Sequence, residues 1–241
     1  MPLPRSSPPN KKRKANESEG KVADDEQLVL YGYWRSSCSW RVRIALAVKN
    51  IPYESRFVHL VNNGGEQHSE AHSNRNAMEM VPTLQLSSGA NVSQSMAILE
   101  YLEETYPDIA LLPSSSVDRA KVRQLAQMIA SDTQPLQNLR VIKRVESLLD
   151  TKSRVEWGAH WIKTGLTAFE KEISKTAGTY CFGNKITLAD LCLIPQMYNA
   201  RRFKCDVSGW PTILRVEASL NIIPAFQAAA PDQQGDAVVP Q

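Results

Sequence analysis

Past the first two dozen residues, apolar side chains recur in short runs broken by turn-forming residues. Leu28-Val29-Leu30-Tyr31-Gly32-Tyr33 is an apolar run closed by glycine and polar residues, which predicts a strand. Trp40-Arg41-Val42-Arg43-Ile44-Ala45-Leu46-Ala47-Val48 carries apolar positions at helical spacing until Asn50-Ile51-Pro52 stops it. A second strand is expected over 53–58. After a polar stretch, Val81-Pro82-Thr83-Leu84-Gln85-Leu86 and Asn91-Val92-Ser93 form a predicted hairpin around Ser87-Ser88-Gly89-Ala90, followed by a helix from Ser95 to Thr105. A strand-helix-strand crossover makes parallel neighbours and a short hairpin makes antiparallel ones, so the sheet is expected to be mixed.

Tyr106-Pro107 ends that helix, and Leu111-Leu112-Pro113-Ser114-Ser115-Ser116 has the composition of a linker. Strand signals then vanish. Helical periodicity covers 117–138, 155–175, 188–199 and 212–220, which predicts an all-helical second unit. Thr187-Leu188-Ala189-Asp190 fits a capping box at the start of one of these helices. The expected organisation is a basic disordered tail over 1–25, a first domain over 26–110, a helical domain over 117–230 and a flexible tail over 231–241. The fold class is α/β plus all-α.

Composition narrows the function classes. The four charges of Lys11, Lys12, Arg13 and Lys14 exceed the formal net charge of +3, so the body carries no net positive charge and is not a nucleic-acid binder. The four cysteines form neither a Cys-x-x-Cys pair nor a zinc-ligand spacing with the four histidines, so no metal is expected. No apolar run approaches the ~18 residues of a membrane span, and residues 1–22 lack the apolar stretch of a secretory signal. A cytoplasmic location is expected, with nuclear import through the basic run at Lys11–Lys14 as the alternative address.

Three local features carry chemistry. Ser36, Ser37 and Cys38 fall between the first strand and first helix, where unpaired backbone N–H groups and the helix dipole favour an anion. The plainer reading is a serine cap beside a small packed thiol. Val81-Pro82-Thr83 sets a proline at a strand start, leaving the preceding backbone available to an extended peptide; the plainer reading is an edge strand. Ser93-Gln94-Ser95 precedes a helix, so Ser95 is a candidate N-cap whose neighbouring amides suit a carboxylate. In this order within one strand-helix framework, the three form an anchor for a small anionic peptide.

The stretch Tyr33-Trp34-Arg35-Ser36-Ser37-Cys38-Ser39-Trp40-Arg41-Val42-Arg43-Ile44-Ala45-Leu46 resembles the signature of zeta-class glutathione transferases, the maleylacetoacetate isomerases. The resemblance continues through Val81-Pro82-Thr83, Gln94-Ser95, Gln134-Pro135-Leu136-Gln137-Asn138-Leu139, Thr187 to Leu193 and Arg202-Phe203. It implies a thioredoxin-like N-terminal domain, a helical C-terminal domain and a homodimer. It also implies glutathione as cofactor, with Ser36 or Ser37 on its sulfur and Cys38 adjacent. Val81 with Pro82 would meet the peptide backbone, Gln94 and Ser95 the γ-glutamyl end, and Gln67 would be a further contact. Arg202, with Arg35 second, would bind the carboxylates of a dianionic substrate, and Arg201 would lie on the surface. The implied reaction is cis-trans isomerisation of maleylacetoacetate to fumarylacetoacetate in tyrosine and phenylalanine breakdown, with transfer of glutathione to small electrophiles such as α-haloacids beside it. Ser93 and Asn76-Ala77 depart from the pattern, which often has His and Asn-Pro there, and the hairpin 87–92 is one residue longer. Two other classes remain open: a thiol oxidoreductase using Cys38, and a non-catalytic binding module of the same fold.

Overall fold

A computed structural model of the chain describes residues 27–238. The basic run at Lys11–Lys14, and the rest of the expected N-terminal tail, lie outside the described residues. Strand β1 (Leu28–Gly32) is followed by helix α1 (Ser37–Val48), β2 (Tyr53–Phe57), a one-turn helix α2 (Glu70–Ser73), β3 (Thr83–Gln85), β4 (Asn91–Ser93) and α3 (Ser95–Thr105). The sheet order is β2-β1-β3-β4, with β1 parallel to β2 and antiparallel to β3, and β3 antiparallel to β4. The mixed sheet follows from the crossover through α1 and the hairpin that joins β3 to β4.

Strand alternation divides β1 between two apolar clusters. Leu28 and Leu30 face the main core with Val42, Ile44 and Leu46 of α1 and Ile98, Leu99 and Leu102 of α3. Val29 and Tyr31 face the other side with Tyr33, Val58 and Val81. The helical domain follows as α4 (Ser116–Gln127), α5 (Leu139–Leu148), α6 (Thr151–Ile173), α7 (Leu188–Arg202), α8 (Pro211–Asn221) and α9 (Pro224–Ala228). Helix α7 is buried along almost its whole length and packs against α1, so one apolar core crosses both domains. Asp190 anchors its start: Oδ2 accepts from Thr187 N and Oγ1, and Oδ1 accepts from Cys181 N.

The helix expected over 117–138 is broken. It leaves the α ladder after Gln127, passes through a π turn (Met128–Thr133) and closes as a 3₁₀ turn (Gln134–Gln137). Pro135 has no N–H to donate, and Thr133 Oγ1 takes the carbonyl of Met128 at 2.7 Å. Ser95 also departs from expectation. The cap of α3 is Gln94, held at φ 72°, and Ser95 is the first helical residue because Gln94's left-handed backbone turns the chain one residue earlier. Helices α2, α5 and α9 were not expected; the first and last are too short to show a period.

Residues 231–238 fall within the stretch expected as a flexible tail. They instead run back across the first domain, where Asp236 Oδ2 accepts from Trp34 N at 3.0 Å and Gly235 lies against the Phe57 ring. No described helix is long and apolar enough to cross a membrane.

Candidate active site

The corner between β1 and α1 is built by local bonds. Ser36 N donates to Tyr33 O at 3.0 Å, which folds the loop back, and Ser36 is the N-cap of α1 with its Oγ accepting from Ser39 N at 3.2 Å. This uses a lone pair and leaves the Ser36 O–H proton to donate outward. Ser37 is the first helical residue and is buried, and Cys38 beside it is half-buried. Thus the dipole end of a 12-residue helix, a hydroxyl donor and a thiol converge.

Arg43 fixes this corner in place. Its Nη1 and Nη2 donate to the carbonyls of Tyr33 (3.3 Å) and Trp34 (2.9 Å), and its Nε donates to Ala229 O (3.0 Å). Burial pushes its pKa down to about 10, partly offset by Tyr53 and Asp236. A guanidinium inside the first domain therefore ties the loop to the end of the helical domain.

Two hollows flank the corner. The smaller, about 330 Å³, is lined by Cys38, Arg41, Val81, Pro82, Gln94 and Ser95 from the first domain and by Gln127, Ser131, Gln134, Asn138 and Arg140 from the second. No carboxylate among the described residues lines it. The peptide bond before Pro82 is cis, and neither backbone polar group of Val81 has a partner among the described residues. At its far end α3 begins without a side-chain cap, so its first-turn amides remain unpaired. These groups fit a small peptide with anionic ends: Val81 can pair with its backbone, and the α3 terminus and Arg41 can meet a carboxylate.

The larger cleft, about 1290 Å³, has a wall of Tyr33, Trp34, Arg35, Trp40 and Tyr198 and a rim from Pro224 to Val238. Trp40 and Tyr198 meet edge to face at 5.7 Å. Arg35 lies over Trp34 at 5.1 Å and Arg202 over Phe203 at 5.5 Å. Surrounding protein lowers the pKa of Arg202, and the charge of Arg35 lowers it further, so the two cations feel one another. Neither has an acidic partner among the described residues.

Of the residues singled out from sequence, Cys38, Val81, Pro82, Gln94 and Ser95 share the smaller pocket, Ser36 and Ser37 form the corner above it, and Arg35 lines the larger cleft. Gln67 lines neither. Its Nε2 donates to His68 Nε2 at 2.9 Å, and its buried Oε1 has no partner among the described residues. Arg201 makes a two-pronged pair with Glu217 (2.5 and 2.6 Å) that joins α7 to α8. Arg41, Arg43, Gln134, Asn138 and Arg140 were not singled out. The signal for the first two was a pair of arginines inside an otherwise apolar helix. The others depended on the break after Gln127.

A family model for the glutathione S-transferase N-terminal domain matches residues 35–105. The probable maleylacetoacetate isomerase 2 of Drosophila melanogaster is 48% identical over 214 residues, covering 89% of this chain and 92% of that one. The chain belongs to the maleylacetoacetate isomerase family. A crystal structure of the maleylacetoacetate isomerase of Anaeromyxobacter dehalogenans with bound glutathione in its active site superposes at a TM-score of 0.81, with 44% identity over 88% of this chain and 99% of that one. A bacterial maleyl pyruvate isomerase, described as a zeta-class glutathione transferase, matches at a TM-score of 0.83 and 38% identity over 87% and 100% of the two chains. The thioredoxin-like domain, the helical domain and the glutathione transferase fold of the family are thus all present here.

Proposed function

We propose that this chain isomerises maleylacetoacetate to fumarylacetoacetate with glutathione as cofactor, and also transfers glutathione to small electrophiles such as α-haloacids. One observation carries the reading: a hydroxyl-bearing helix N-terminus stands between a peptide pocket with no carboxylate among its described lining residues and a cleft lined by Arg35, whose charge reaches Arg202. Held between the Ser36 corner and the Val81, Gln94 and Ser95 side of the smaller pocket, glutathione would supply a thiolate nucleophile for reversible attack on the activated cis double bond and would not be consumed by the isomerisation.

The residues' part is to hold charge and orientation. Lowering a thiol pKa by two units requires about 2.7 kcal/mol. A hydroxyl donating to a charged acceptor contributes about 1.5–3 kcal/mol and a helix N-terminus about 0.3–1 kcal/mol, so Ser36 and the α1 amides suffice without a histidine base. Ser36 is favoured as the donor because Ser39 N already fixes its oxygen; Ser37 and Cys38 line the approach. Val81 and Pro82 align the peptide backbone, and Gln94 and Ser95 hold its γ-glutamyl end. Arg202 and Arg35 orient the substrate carboxylates and stabilise negative charge developing on its carbonyl.

A cytoplasmic homodimer accords with this reading, with the basic N-terminal run as a separate address for nuclear import. The test follows glutathione-dependent conversion of maleylacetoacetate in the wild type, Ser36→Ala and Ser37→Ala, with total glutathione assayed alongside. The expected result is turnover without net loss of glutathione and a larger defect in Ser36→Ala. Net depletion matching turnover would make conjugation the principal reaction, and binding without turnover would favour a non-catalytic module.

A further inference from the structure

The first helix and its C-cap residue together carry three buried cations, and two are compensated. Arg43 spends its donors on three carbonyls, and Lys49 pairs with Glu103 at 3.0 Å. Arg41 is 1% exposed and has no acidic partner among the described residues. Its Nη1 donates to Ser95 Oγ at 3.2 Å and lies 3.9 Å from Cys38 Sγ, while Nε and Nη2 have no partner there. Removing a guanidinium from water without a counter-ion is costly, and the cost falls if an anion completes the site.

The surroundings point to a ligand as that anion. Arg41 lines the smaller pocket, whose wall contains no carboxylate among the described residues and adds a second cation, Arg140. The uncapped amides of α3 open onto the same space beside Ser95. Among the described residues, two thiols interact with Arg41, Cys38 one turn earlier on α1 and Cys192 from α7, and Arg140 lines the same pocket; burial raises the Cys192 thiol to about 11, so it offers no negative charge near neutrality.

We propose that Arg41 is a positioning residue, a buried cation that fixes the Ser95 hydroxyl at the mouth of α3 and supplies counter-charge for two anionic groups of the bound peptide, its γ-glutamyl carboxylate and its thiolate. This rests on the glutathione reading above. The side chain reaches both ends of the pocket at once, with Ser95 on the carboxylate side and Cys38 on the sulfur side. A long-range Coulomb term of this kind acts on thiol acidity without contact with the sulfur.

The test compares wild type, Arg41→Lys and Arg41→Gln by binding of glutathione and S-methylglutathione and by ultraviolet titration of the bound thiol. In Arg41→Gln the bound thiol is expected to titrate roughly one pH unit higher, with both ligands bound about ten-fold or more weakly. Arg41→Lys keeps the charge and loses the fork, so thiol acidity should be largely retained while both ligands weaken. Should Arg41→Gln fail to fold, Arg41→Lys decides: wild-type affinity for both ligands would overturn the proposal. Unchanged thiol acidity in a folded Arg41→Gln would overturn it as well, since a purely structural role does not set a titration. Failure of the wild type itself to bind glutathione would instead sink the reading on which this one rests.

Discussion

At the residue scale, one serine serves two ends. Ser36 Oγ accepts from Ser39 N and so caps α1, while its proton remains available to an anion at the same corner. Ser36→Ala should therefore show two separable losses: about 1 kcal/mol of stability in urea unfolding from the missing cap, and on the order of 10²-fold in kcat/KM from the missing donor. Ser37→Ala removes no cap and should leave the unfolding midpoint nearly unchanged. Arg202 gives a prediction of different kind. With Arg35 as a cationic neighbour and no acid beside it, Arg202→Gln should raise KM for a dianionic substrate about ten-fold while sparing conjugation of an uncharged electrophile. Equal losses on both substrates would show that the side chain supports the fold of the cleft rather than its charge. The Ser36 corner was legible in the sequence because it depends on a motif at a strand-helix junction, whereas Arg202, the last residue of α7, was marked only by the family resemblance. Arg43 was less legible: an arginine in an apolar helix reads as a surface interruption until the carbonyls of Tyr33, Trp34 and Ala229 are seen around it.

At the scale of elements, the site depends on where helices stop. The C-termini of α1 and α3 are tied by Lys49 Nζ, which donates to Glu103 Oε2 and to the carbonyls of Tyr106 and Ile109, while Glu103 also accepts from Leu111 N and Leu112 N. This one carboxylate joins the first domain to the linker. Glu103→Ala leaves a buried ammonium and two orphaned amides, and should cost about 3–5 kcal/mol in denaturant unfolding. The break after Gln127 matters in the same way. A continuous helix would carry Gln134 and Asn138 onward along its axis; the π turn and Pro135 bend them toward Val81 and Ser95. Gly165 on α6 permits this, because a Cβ there would meet the Thr133 side chain. Gly165→Ala should thus destabilise by about 1–3 kcal/mol and weaken glutathione binding, measured by unfolding and by titration calorimetry. Apolar periodicity reports which face of a segment is buried and carries little information on a change of winding. The expectation over 117–138 accordingly found a buried face and missed the break that shapes the pocket.

For the whole molecule, the consequence is a division of labour between two hollows on either side of the α1 N-terminus. Both use residues from both domains, yet the smaller draws on the π turn and the larger on the chain after α8. Residues 231–238 close the larger one, held by Asp236 on Trp34 N. Asp236→Ala should raise KM for the electrophilic substrate several-fold and leave glutathione affinity unchanged; a matched loss in both would mean the two hollows act as one.

The sequence alone determined the strand-helix-strand frame, the linker, the all-helical second half and the corner at Ser36. Each follows from short-range spacing of apolar, turn-forming and capping residues. The tertiary structure decided which cations lose their water, where the long helical segment changes winding, and that the chain end returns to the first domain. Those outcomes depend on contacts between residues tens to hundreds of positions apart, as Arg41 with Ser95 and Trp34 with Asp236 illustrate, and no local pattern encodes such a meeting.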